Sequence, residues 1–134
     1  RVNFLEETFA LLKLENITAI HGRAEEFAKN KAYREQYDLC VSRAVSNLAT
    51  LSEYCLPYVK VGGNFISYKS GTVQEELQQA EKAVKILGGK IQDVVYFNLP
   101  DSEIQRSLVV IEKMKPTPGR YPRKAGTPLK EPLS

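Results

Sequence analysis

The chain has 134 residues, 43% of them apolar and 26% charged, with a net charge of +3, two cysteines and one histidine. That size and balance fit one globular domain with a sizeable core. No stretch approaches the ~20 apolar residues that span a bilayer, and Arg1 to Ala10 holds two glutamates and no cleavable apolar core, which predicts a soluble, unexported, cytoplasmic protein without a membrane partner.

Val2, Leu5, Phe9 and Leu12 recur at helical spacing and predict a first amphipathic helix. The short apolar run Thr18 to His21 then reads as a strand, followed by Gly22-Arg23-Ala24-Glu25-Glu26-Phe27. Either Glu25 and Glu26 are first-turn residues that favour a helix dipole, or the loop after the strand reaches an adenine, with Ala24 leaving room for the ring and Glu25 offering an acceptor. Tyr37 to Arg43 is a second strand that delivers a long cation at its carboxyl end. Ligands of open α/β sheets bind outside those ends, so Arg43 either meets a ligand or forms a surface ion pair.

A helix from Asn47 to Tyr58 follows, with Asn47 as its N-cap and Leu48, Leu51 and Cys55 facing inward. Asn64 to Tyr68 is a third strand, and Gln74 to Leu87 a helix whose stripe is Val73, Leu77, Ala80, Val84 and Leu87. Gly62-Gly63 and Gly88-Gly89 punctuate helix ends, where positive φ is often required. This alternation of helices and strands favours an α/β fold with a parallel sheet and crossover helices. Ile91 to Leu99 and Ser107 to Lys113 break the rhythm, because the seven residues between them cannot hold a crossover. Parallel neighbours need roughly a dozen residues or more, so this pair is expected to be an antiparallel hairpin.

The net charge is unevenly spread. From Lys115 onward, Lys115, Arg120, Arg123, Lys124 and Lys130 stand against Glu131 alone, leaving 19 − 5 = 14 basic and 16 − 1 = 15 acidic residues in the first 114. Pro116 to Ser134 also holds five of the seven prolines. Prolines bar a continuing helix or an inner strand, so residues 1–114 read as the domain and 115–134 as an extended, basic, solvent-accessible strap. Such a strap is either a flexible linker or a contact for phosphates and bases.

No nucleophilic or metal-binding motif assembles. His21 is the only histidine, which excludes a His-pair zinc site, and it sits at a strand end without a recognisable partner, as a solvent-facing or satisfied structural residue. Cys40 and Cys55 lie in apolar surroundings without metal-ligand spacing and read as reduced core residues. There is no glycine-rich phosphate loop.

In order along the chain stand His21-Gly22-Arg23-Ala24-Glu25, Ser42-Arg43-Ala44-Val45, Tyr68-Lys69-Ser70-Gly71, Arg106, and Arg120-Tyr121-Pro122-Arg123-Lys124-Ala125-Gly126-Thr127-Pro128. Taken together they resemble the ribosomal RNA small-subunit methyltransferase G (GidB) family, from Arg1 to Ser134. The resemblance implies a Rossmann-like class I methyltransferase: a three-layer, mostly parallel sheet ending in an antiparallel hairpin. It implies transfer of methyl from S-adenosylmethionine to N7 of a guanosine in small-subunit ribosomal RNA, free or in the subunit, by a monomer. Ala24, Glu25 and Arg43 would then line the donor pocket. Lys69 and Arg106 would extend a basic path to Arg120, Tyr121, Arg123 and Lys124 on the RNA. Family members also carry an N-terminal helical region, a glycine-rich first strand and loop, and an acidic residue after the second strand. None of these is in the 134 residues, so the chain is expected to be the C-terminal part of the enzyme, with the donor site incomplete. Guanine N7 has an in-plane lone pair and no proton to lose. Positioning alone can therefore supply the rate, and no residue is assigned as catalytic. The competing reading is a noncatalytic RNA-binding α/β module.

Overall fold

The computed structural model describes residues 1–43, 46–70 and 73–134. Helix α1 (Val2–Leu11) and the single turn α2 (Ala24–Phe27) precede β1 (Tyr37–Ser42), α3 (Leu48–Cys55) and a 3-10 turn (Leu56–Tyr58). β2 (Val59–Ser70), α4 (Gln74–Ile86), β3 (Gly89–Asn98), β4 (Gln105–Lys113) and α5 (Thr127–Lys130) complete the order. The strands form one mixed sheet, β1-β2-β4-β3.

β1 and β2 are parallel, as the helical crossover between them dictates, and β3 and β4 form the antiparallel hairpin that their short connection requires. β4 also pairs antiparallel with β2, so it sits inside the sheet and β3 takes the edge. Asn47 caps α3, its side chain accepting the Thr50 N–H at 2.9 Å. Between the pairs Tyr37↔Val59 and Leu39↔Asn64, two steps on β1 (37 to 39) match five on β2 (59 to 64). Gly62, at φ +92°, turns the backbone through this bulge rather than ending a helix.

Phe65, Val109 and Ile111 on one sheet face meet Leu48 and Leu51 of α3 and Ala80, Ala83 and Val84 of α4. Each large side chain buried there contributes on the order of 1.5–3 kcal/mol. Cys40 and Cys55 are free and half-buried, packed against this core. The opposite face, with Leu39, Val41, Tyr68, Val95 and Phe97, remains exposed, and no residue of α1 is buried.

Two expectations are corrected here. Thr18 to His21 is not a strand, and Ile17 and Ile20 are half exposed. A strand exists through ladder bonds to a neighbour, and among the described residues β1 pairs with β2 alone. The tail is not a solvent-accessible strap either. Thr117, Tyr121, Pro122 and Pro128 are buried, Tyr121 joins the core cluster, and residues 127–130 form α5. Turns at 118–121 and 124–127 and the helix α5, with Pro128 in its first turn, interrupt the expected extended run, and the segment lies against α3.

Lys113, fully buried at the end of β4, shows how this junction is held. Its ammonium donates to the Leu56 carbonyl at 2.7 Å and the Val59 carbonyl at 2.9 Å, and pairs with Glu35 at 3.0 Å. A buried cation is tolerated only when its donors are all met, as they are here. Gly88, at φ +93°, ends α4 beside the same junction, and its carbonyl accepts the Met114 and Lys115 N–H groups.

Candidate active site

Two concavities border β1. The first, about 480 Å³, is walled by Ile20, Ala24, Phe27, Tyr37, Leu39 and Tyr58. The second, about 710 Å³, lies outside the carboxyl ends of β1 and β2 and is lined by Arg43, Tyr68, Lys69, Phe97, Arg106 and Ser107. Both fall in the size range of small-molecule sites.

The first cavity is mostly apolar and aromatic. The Phe27 and Tyr33 rings meet edge to face at 5.6 Å and stiffen one wall. Across from them the Tyr58 hydroxyl donates to the Ala24 carbonyl at 2.6 Å, tying the wall after the crossover helix to the turn that carries Ala24. Burial pushes the Tyr58 phenol up to about 12, so it stays a donor at any physiological pH. Glu25 is not among the residues lining this cavity. It is 4% exposed, and its carboxylate accepts the Gly126 N–H at 3.0 Å and an Arg23 N–H at 3.4 Å. Burial alone would raise this carboxyl, but the bonds from the Glu25 and Gly126 backbone and from Arg23 hold it below the ordinary value.

The second cleft is cationic. Arg43 is exposed at the end of β1, and neither it nor Arg106 has an ion-pair partner among the described residues. Lys69 differs: its ammonium pairs with Glu76 and donates to the Ser46 carbonyl, both at 2.7 Å, and its side chain is only 10% exposed. The cleft adds the ring of Phe97, with Tyr68 on the same sheet face, and the Ser107 hydroxyl, which is buried and unpartnered among the described residues.

The expected site residues therefore divide. Ala24 lines the first cavity, Glu25 braces it from behind, and Arg43 faces the second cleft together with Lys69 and Arg106. In the tail, Arg120 is exposed with its guanidinium 5.2 Å from the Tyr121 ring centre, and Lys124 is exposed. Tyr121 is only 8% exposed, which corrects its expected stacking on a base. Arg123 is corrected likewise: it is bound to Glu53 rather than free for phosphate. The quoted segments Ala44-Val45 and Gly71 lie outside the described residues. Tyr58, Phe97 and Ser107 were missed, since an aromatic or a serine in a strand or turn carries no signal of its own. Glu53 had one: a carboxylate flanked by Leu51, Ser52 and Tyr54 on a buried helix needs a partner.

The fold is that of the Rossmann-like class I methyltransferases. An M. jannaschii TYW2 crystal structure, in complex with AdoMet, superposes with a TM-score of 0.60 over 84% of this chain and 53% of that one, at 12% identity. The family model described as rRNA small subunit methyltransferase G, GidB, matches residues 1–109, and the chain belongs to that family. It is 56% identical over 133 residues to the ribosomal RNA small subunit methyltransferase G of Lachnoclostridium phytofermentans, across 99% of this chain and 55% of that protein. With the Clostridium tetani protein of the same description it shares 50%, across 99% and 56%. The chain thus spans about half the length of the curated relatives it matches.

Proposed function

We propose that this protein transfers the methyl group of S-adenosylmethionine to N7 of a guanine in small-subunit ribosomal RNA. The observation that carries the reading is the pairing of two unlike clefts, one along β1 and one beyond its carboxyl end, in a chain of this family. The first has the volume and the aromatic, apolar walls for an adenine ring, with Ala24, Phe27 and Tyr58 to hold it. The described residues fit that part of the donor alone. When bound, the donor supplies an electrophilic methyl group on a sulfonium.

The second cleft suits an anionic strand with an unstacked base. Arg43 and Arg106 offer charge to phosphates, and the Phe97 ring, on the same sheet face as Arg106, offers a stacking face. In this reading Arg43 belongs to the acceptor side as much as to the donor side. Guanine N7 needs no base, so the work of these residues is to place the ring and exclude water. A monomer acting in the cytoplasm, on the RNA or the assembled subunit, is the setting the reading implies.

The test is incubation of the full-length protein with donor carrying a labelled methyl group and with small-subunit RNA or subunits, followed by mass mapping of the product. N7-methylguanine at one position is the expected result. Tight RNA binding without transfer would instead support a noncatalytic RNA-binding module.

A further inference from the structure

We infer that the C-terminal segment is a latch that sets the shape of the donor cavity, with Arg123 and Gly126 as positioning residues. The inference rests on reading the Ala24 cavity as the donor site. Its starting point is a weakness in the fold. Residues 12–36 contain no strand and one single-turn helix, α2 (Ala24–Phe27). A helical turn of that length does not hold itself, since isolated helices shorter than ~12–15 residues are marginal even in favourable sequences. Something else must fix the turn that carries Ala24.

The tail does so at several points. Arg34 donates to the Ala28 carbonyl just after α2 at 3.3 Å, and to the carbonyls of Tyr121 at 2.7 Å, Thr117 at 3.0 Å and Pro118 at 3.1 Å. Glu35 accepts the Thr117 N–H at 3.0 Å. On α2 itself, Glu25 accepts the Gly126 N–H at 3.0 Å. Gly126 stands at φ +89°, a left-handed conformation that glycine adopts freely. An added Cβ there would meet nothing closer than 3.9 Å, so the backbone turn, not space, requires glycine.

The latch is in turn fastened to the core. The Arg123 backbone N–H and guanidinium both bind the Glu53 carboxylate, at 2.7 Å and 2.8 Å, and the Thr50 hydroxyl donates to the Pro128 carbonyl at 3.0 Å. Arg123 and Pro128 thus bracket Gly126 and hold its N–H toward Glu25. The chain of contacts runs from α3 through the tail to α2, and from α2 to the wall of the cavity.

The test is calorimetric titration of S-adenosylhomocysteine into the full-length protein, its Arg123→Gln variant and its Gly126→Ala variant, with RNA affinity measured by filter binding on the same preparations. Arg123→Gln removes the guanidinium bonds and the ion pair to Glu53, and Gly126→Ala strains the left-handed turn that aims the N–H at Glu25; each is expected to weaken binding of the probe about tenfold, at unchanged stoichiometry and near-unchanged RNA affinity. Gly126→Ala leaves the Glu53 pair in place, so it remains informative if Arg123→Gln folds poorly. Unchanged affinity in Gly126→Ala overturns the latch, as does a reduced stoichiometry with unchanged affinity in the molecules that bind. Loss of RNA affinity with the probe still bound normally also overturns it, and returns the tail to the RNA. If the wild-type protein itself does not bind the probe, the donor reading has failed, and the latch falls with it.

Discussion

Arg123 and Glu53, 70 residues apart, form a charge pair in which the carboxylate is fully buried and the guanidinium Nη2 lies 2.8 Å away. Arg123→Met would leave that carboxylate without its counter-ion. We expect it to cost about 3–5 kcal/mol in urea unfolding, the range for breaking a buried pair. Lys124→Met, one residue on and exposed, is expected to stay within about 0.5 kcal/mol. Equal effects at the two positions would mean that the pair does not anchor the tail.

Tyr58→Phe removes the hydroxyl that binds the Ala24 carbonyl and is expected to cost about 0.5–1.5 kcal/mol. It carries a pH signature as well. Burial raises the phenol from 10.0 in the unfolded chain to about 12 in the fold, so the folded state holds the proton more tightly across that window. Its contribution is complete below pH 10 and is lost as the pH rises toward 12. Wild type should therefore lose stability more steeply than Tyr58→Phe over that range in alkaline unfolding series. Parallel curves would detach Tyr58 from Ala24.

Glu25 gives the opposite dependence. Despite burial, its backbone and Arg23 bonds hold the carboxyl below 4.5, so the unfolded state takes up a proton first as the medium is acidified. The stabilisation is present above that value and lost as the pH falls through the lower folded value. Glu25→Gln should flatten this acid limb in thermal melts. An unchanged limb would show that other carboxylates carry it.

On the proposed reading, Arg106→Ala should reduce the slope of log RNA affinity against log salt by about one counterion. Lys69→Met should leave that slope as it is, because Glu76 already neutralises the ammonium. A slope lost at Lys69 and kept at Arg106 would reverse these roles.

What could be read in the sequence was local. The Asn47 cap, the stripe of α4 and the short connection between β3 and β4 each need only a few neighbouring residues, and each is found in the structure. Thr18 to His21 has the composition of a strand, but pairing depends on a neighbour that composition does not supply. The tail misled for a related reason. A count of positive charges does not say whether a cation already has a partner, and the partner of Arg123 lies 70 residues upstream, in a helix whose apolar pattern hides it. At the site, Ala24 and Arg43 were both singled out, yet they line different clefts, one along β1 and one beyond its carboxyl end.

The contact between Glu25 and Gly126 spans 101 positions, and chains emerge from the ribosome amino end first. The described strands, all between residues 37 and 113, are therefore made before the segment that braces Ala24. A nascent copy that ended before Tyr121 would have its paired strands, but its core would lack the Tyr121 ring, the buried Glu53 carboxylate would lack Arg123, and the turn at Ala24 would lack its brace.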